Sequence, residues 1–150
     1  MTQTTTTATT TATTTATAAA EATIRRYFDA FNAGDTDAML ACLSDDVAHH
    51  VNEGKNRQGK ALFGDFCAHM SRCYREELTD MVIMVSADGR RAAAEYVVNG
   101  TYLATDPGLP EARGQAYRLP AGSFFSLDGG AISRVVTYYN LADWVAQVSR

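Results

Sequence analysis

The sequence predicts an α+β domain in which one cone-shaped, curved, mostly antiparallel sheet wraps around three N-terminal helices. Three observations carry this. Helical spacing of apolar residues is confined to the stretch before about Cys73, long strand-like runs follow it, and tight Asp-Gly turns separate those runs. Such turns leave no room for crossover helices, so consecutive strands pair as hairpins and a parallel doubly wound sheet is disfavoured.

The elements follow in order. From Glu21 to Ala33, the residues Ile24, Tyr27, Phe28 and Phe31 form a helical stripe, and Gly34 supplies a stop. Asp35 or Thr36 can cap a second helix that carries Met39, Leu40 and Leu43. Val47, His49 and Val51 alternate with Ala48, His50 and Asn52, as in a short strand. The polar run Glu53 to Gly59 reads as a turn. A third helix spans about Lys60 to Arg72, with Leu62, Phe63, Phe66, Met70 and Cys73 on its apolar stripe. Strands are predicted at Leu78 to Val85, Arg91 to Leu103, Gln115 to Leu127 and Ala131 to Tyr139. Asp88-Gly89 and Asp128-Gly129-Gly130 make two of the turns. Ala104 to Gly114, with two prolines and two glycines, is a loop suited to a lid or a dimer contact. Leu141 to Val148 closes the chain as a short helix or turn, with Trp144 and Val145 inward.

Composition bounds the function. Residues 1–20 are almost all Thr and Ala, so they have little to bury against the entropy of ordering and read as a disordered tail before a domain at 21–150. The tail lacks the basic start and unbroken apolar stretch of a secretory signal, and no apolar run is long enough to cross a membrane. A net charge of −4 gives no general attraction to nucleic acid or to an anionic membrane. Cys42, Cys67 and Cys73 form no CxxC pair and read as reduced, buried thiols of a cytoplasmic protein. No residue spacing points to a metal site, and no Gly-rich phosphate loop points to a nucleotide cofactor.

A curled sheet encloses a cone, and polar residues on its strands are the candidates for chemistry: His49, His50, Asn52, Glu53, Glu95, Asn99, Gln115, Tyr117, Ser123, Thr137, Tyr138 and Asn140. Alternation divides them between cavity and outer face, and either parity can face inward. His49 and His50 point opposite ways, so one of them at most faces the cone, where it could accept a proton near neutral pH. Glu95, mid-strand, could act as a base or orient a histidine, or else pair with Arg118 or Arg134 in solvent. Tyr27 could donate a hydrogen bond to a developing enolate, or be a core aromatic with its hydroxyl at the rim. Phe63, Phe66, Met70 and Phe124 give a cavity an apolar lining.

Three stretches carry a resemblance: IRRYFDAFNAGDTDAMLACLSDDV at 24–47, HHVNEG at 49–54 and GSFFSLDGGAISRVVTYYNLADW at 122–144. With them the chain resembles the nuclear transport factor 2-like, or SnoaL-like, superfamily, and within it the ketosteroid isomerase-related proteins. The resemblance implies a homodimer packed through its sheets. It also sets Tyr27 on the oxyanion tyrosine of the isomerases, with Val51 and Gly122 near the places where those enzymes carry acids. Thr137 matches the last-strand acid of the limonene-epoxide hydrolases. The polyketide cyclases use an acidic pocket residue, for which Glu95 is the candidate.

The functional expectation is a cofactor-independent isomerase, cyclase or hydratase that abstracts a proton from a small hydrophobic carbonyl compound. Its catalytic candidates are His49, His50, Glu95 and Tyr27. Asn52, Glu53, Phe63, Phe66, Met70, Asn99, Gln115, Phe124, Thr137 and Tyr138 line the site. The alternative is a non-catalytic dimer module of the same fold that binds a ligand or a protein.

Overall fold

The computed structural model describes residues 4–150, with backbone only at residues 4–10 and 14. The elements run α1 (Thr4–Ala33), α2 (Thr36–Ala41), β1 (Leu43–Val51), β2 (Arg57–Gln58), α3 (Lys60–Cys73), β3 (Tyr74–Val85), β4 (Arg91–Tyr102), β5 (Ala116–Asp128), β6 (Ala131–Tyr139) and α4 (Leu141–Val148). Six strands form one sheet in the order β2-β1-β6-β5-β4-β3. Every neighbouring pair is antiparallel except β1 with β6. The α+β architecture expected from the sequence is therefore the one observed.

Helix α1 starts earlier than the apolar periodicity predicts. It runs through the Thr/Ala segment, and Ala20 is buried. Ala16 lies against Gly89 of the β3–β4 turn, and Thr17 Oγ1 donates to Ala87 O at 3.4 Å. The expectation of disorder up to residue 20 thus fails for the part that docks on this hairpin, because small side chains permit a close approach that periodicity does not register. Residues 1–3 of that predicted tail lie outside the described residues.

Farther along α1, Ile24, Tyr27 and Phe28 face the sheet and are buried. Gly34, at φ +70°, ends the helix, and the Asp35 side chain caps α2 by accepting from Ala38 N at 3.0 Å. Helix α3 contributes Phe63 and Cys67 to the same core. Asn32 fixes α1 against β3, since its amide donates to Leu78 O and accepts from Leu78 N, both at 2.9 Å. Trp144 of α4 packs edge-on to Tyr102, Tyr117 and Tyr74 and covers one end of the sheet. Register shifts in β3 between Thr79 and Val82, and in β5 between Ser126 and Leu127, bend the sheet around the helices. All three cysteines are free and buried, as expected. Among the described residues no helix is long and apolar enough to cross a membrane.

Candidate functional site

The concave face of the sheet, α1, α3 and the β4–β5 loop enclose a cavity of about 770 Å³. Strand parity decides what reaches it. His49 and Val51 of β1 face inward and lie beside Val135 and Thr137 of β6, and on β5 the inward set includes Leu119, Ala121 and Ser123. On β3 the inward set is Tyr74, Glu76 and Leu78, and on β4 it includes Tyr96 and Val98.

One wall holds acids. The Glu76 carboxylate lies within the cavity lining and accepts from Tyr117 Oη. Burial pushes its pKa up, and the Tyr117 hydrogen bond partly offsets that rise. The sheet register explains the pairing. Glu76 lies beside Gly100, which lies beside Tyr117, so the three form a row across β3, β4 and β5. A Cβ at position 100 would collide with the Tyr117 ring. Glycine there is what lets the phenol cross its neighbouring strand to reach the acid. Beside it, Asp106 of the β4–β5 loop accepts from Tyr74 Oη at 2.7 Å and meets His69 Nε2 at 2.9 Å. Its own backbone N–H donates to Tyr102 Oη at 2.8 Å, which pins the loop to the sheet.

The opposite wall, at β1, β2 and α3, is cationic and aromatic. His49 is 3% exposed and lies 4.5 and 4.6 Å from the ring centroids of Phe63 and Phe66. Burial, Arg57 and His50 lower its pKa to about 4, so at neutral pH it is an uncharged imidazole and a weak proton acceptor. Arg57, its cross-strand neighbour, places its guanidinium carbon 4.5 Å from the Phe66 ring centroid. Among the described residues, His49 Nδ1 and Arg57 Nη1 are both buried without a hydrogen-bond partner.

Between the walls are hydroxyls. Tyr96 Oη, Ser123 Oγ and Thr137 Oγ1 form a chain with links of 2.7 and 2.8 Å. Tyr27 is wedged edge-on among Phe28, Phe63 and Phe125, and burial raises its pKa well above the usual phenol value. It therefore stays protonated and can only donate or accept a hydrogen bond.

Of the residues singled out in the sequence, Tyr27, His49, Phe63, Phe66, Met70, Ser123 and Thr137 line the cavity. The other candidates do not. His50 takes the opposite parity to His49 and lies beside Val136 on the convex face. Glu95 is exposed on that same face, beside Val82 and Gly122, so it is neither the pocket acid nor a partner for His49. Phe124 and Tyr138 also point outward, 48% and 52% exposed, with ring centroids 6.1 Å apart. Asn52 is structural. At φ +48° its Oδ1 accepts from Tyr139 N and its N–H donates to Thr137 O, which ties the end of β1 to β6. Glu53 is exposed in the turn that follows. Asn99 bonds to Thr79 Oγ1 on the convex side, and Gln115 bonds to Glu111 O and Val148 O.

Sequence reasoning missed Glu76, Arg57, His69 and Asp106 as site residues. A signal for Glu76 existed. Carrying the β3 alternation back from Leu78 reaches Glu76 and then Tyr74, but the strand was predicted to begin at Leu78. Asp106 gave no such signal, because a loop residue has no periodicity.

A family model for the SnoaL-like domain matches residues 24–135. The chain belongs to the SnoaL-like family. Its nuclear transport factor 2-like, ketosteroid isomerase-like architecture agrees with that membership. A protein of Silicibacter sp. TM1040, described as a candidate polyketide cyclase, is 72% identical, with a TM-score of 0.86 over 87% of this chain and 96% of that one. Two others with the same description come from Pseudomonas putida and Xanthomonas campestris. The first is 57% identical, with a TM-score of 0.83 over 84% of this chain and 95% of that one. The second is 49% identical, with a TM-score of 0.86 over 89% and 98%. No curated protein matches the sequence.

Proposed function

We propose that this protein is a cofactor-independent enzyme of the cyclase or isomerase kind, acting on a small, largely apolar carbonyl compound held in the cone. The observation that carries the reading is Glu76: a carboxylate with a raised pKa, held by Tyr117, in the wall of a large cavity. Desolvation makes such a carboxylate a stronger base than one in water. Its oxygen would take the proton next to the substrate carbonyl, breaking the C–H bond as the electron pair moves into an enolate. Tyr27 and the Tyr96–Ser123–Thr137 chain provide hydroxyls for the enolate oxygen. In a cyclisation the enolate carbon then attacks a second carbonyl of the same molecule, and the new alkoxide takes a proton back. The description of the similar proteins as candidate polyketide cyclases supports this reading.

The test is deuterium uptake at the acidic carbon of an aryl 1,3-diketone, followed by NMR. The protein should accelerate exchange, with a rate that rises with pH as Glu76 loses its proton. Glu76→Gln should lower the enzymatic rate by about 10²- to 10⁴-fold with the fold intact. Tight binding of the diketone without accelerated exchange would instead favour the binding-module reading.

We further propose a homodimer that covers the convex face, where Val82, Met84, Phe124 and Tyr138 are each about half exposed. Replacing Phe124 and Tyr138 together by Asp should leave a monomer in analytical ultracentrifugation.

A further inference from the structure

We infer that the cavity's ligand carries an anionic oxygen group, a carboxylate or an equivalent planar oxyanion, bound at the β1–β2 wall by the guanidinium of Arg57 with the His49 imidazole as second donor. The inference rests on the reading of the cavity as a substrate site and adds the substrate's charge to it.

Arg57 lies in the cavity wall, yet among the described residues its side chain has neither an ion pair nor a hydrogen bond. Its guanidinium lies against the face of Phe66. A guanidinium held over an aromatic ring can still present in-plane N–H groups to a carboxylate, the pairing that two parallel hydrogen bonds make strong. Arg57 is half-buried, with Nη1 itself covered, and desolvating part of a cation without a counter-charge costs stability that a ligand supplying the charge would recover. The second observation is independent. His49, 3% exposed and next to Arg57 across the strand pair, has a ring nitrogen, Nδ1, that nothing among the described residues satisfies. Two unsatisfied nitrogens on adjacent strands, flanked by Phe63 and Phe66, make a site for a planar anion attached to an apolar body. The acids Glu76 and Asp106 come from β3 and the β4–β5 loop, so the ligand's carbonyl end and its anionic end are held by different elements.

Such a site prefers an oxo-acid to a neutral ketone or a steroid of similar size. The experiment compares two probes of one shape and different charge, 2-naphthoate and 2-naphthamide, by titration calorimetry on the full chain at pH 7. The naphthoate should bind at least about tenfold tighter. In Arg57→Met the two should bind within about twofold of each other, and Arg57→Lys should retain part of the preference. Arg75→Met serves as the control, since Arg75 also borders the cavity but is exposed; the preference should survive there. Should Arg57→Met fail to fold, the imidazole resonances of His49 provide the readout, because naphthoate and not naphthamide should shift them in the unmodified protein. Equal binding of the two probes, no binding of either at millimolar concentration, or a preference that persists in a folded Arg57→Met would overturn the inference. Absence of diketone exchange would overturn the proton-transfer reading alone and leave the carboxylate preference standing.

Discussion

The two walls of the cavity differ in how completely their polar groups are satisfied. On the β3 side, Glu76 has Tyr117, and Asp106 has Tyr74, His69 and the backbone tie to Tyr102. On the β1–β2 side, the Arg57 guanidinium and a His49 ring nitrogen lack partners within the described chain. Partners fix a side chain in one geometry before any ligand arrives, which suits a group that must meet a particular proton. Unsatisfied donors keep their full hydrogen-bonding capacity for what enters. On the proposed reading, the satisfied wall is the one prepared for chemistry and the unsatisfied wall the one for recognition.

Four measurements test that division, beginning with the largest effect. His49 has a folded pKa of about 4 against 6.5 for the free side chain. The unfolded chain therefore binds the extra proton first, and stability falls as pH drops below about 6.5. The loss should reach about 3 kcal/mol by pH 4 in unfolding free energies, measured as the difference between the unmodified protein and His49→Phe, which should lack it. If both lose stability equally between pH 6.5 and 4, His49 is not the desolvated group described. Next, Gly100→Ala drives a methyl into the Tyr117 ring and should cost about 2 kcal/mol in denaturant unfolding. It should also slow diketone exchange, because a displaced Tyr117 no longer holds Glu76.

The two smaller effects set the walls directly against each other. Asp106→Ala removes the acceptor of two side-chain hydrogen bonds and should cost about 1.5 kcal/mol. Arg57→Met breaks no hydrogen bond or ion pair among the described residues, loses only the cation–π contact and keeps an apolar stem on Phe66, so its stability should stay within about 1 kcal/mol of the unmodified protein. A large loss in Arg57→Met would show that the guanidinium has a structural partner, and the contrast between the walls would collapse.

How far the site was legible follows from the physics of each residue. Tyr27, Phe63 and Phe66 were legible because apolar residues at helical spacing face a core wherever the helix sits. Strand residues were legible only up to a choice of face. His49 and His50, Thr137 and Tyr138 were each adjacent candidates, and the alternation named the pair without naming its inward member. Glu95 drew attention as a charge in mid-strand, while the cavity acid was Glu76, on a strand whose first four residues, Tyr74 to Glu77, are polar or charged apart from one ring. Asp106 and His69 meet across 37 positions of sequence, a contact that no local pattern carries.

The sequence by itself determined the class of fold, the order of helices and hairpins, the SnoaL-like family and the apolar residues of α1 and α3 that build the cone. These follow from local causes: periodicity, turn chemistry and burial of apolar surface act within one element or between neighbours. Tertiary structure decided which face of each strand is concave, that Gly100 lets Tyr117 reach Glu76, and that Arg57 lies beside His49 with no hydrogen-bond or ion-pair partner among the described residues. Those outcomes depend on strand register and sheet curvature, which sum small contributions from the whole chain and are fixed only when all six strands pair at once.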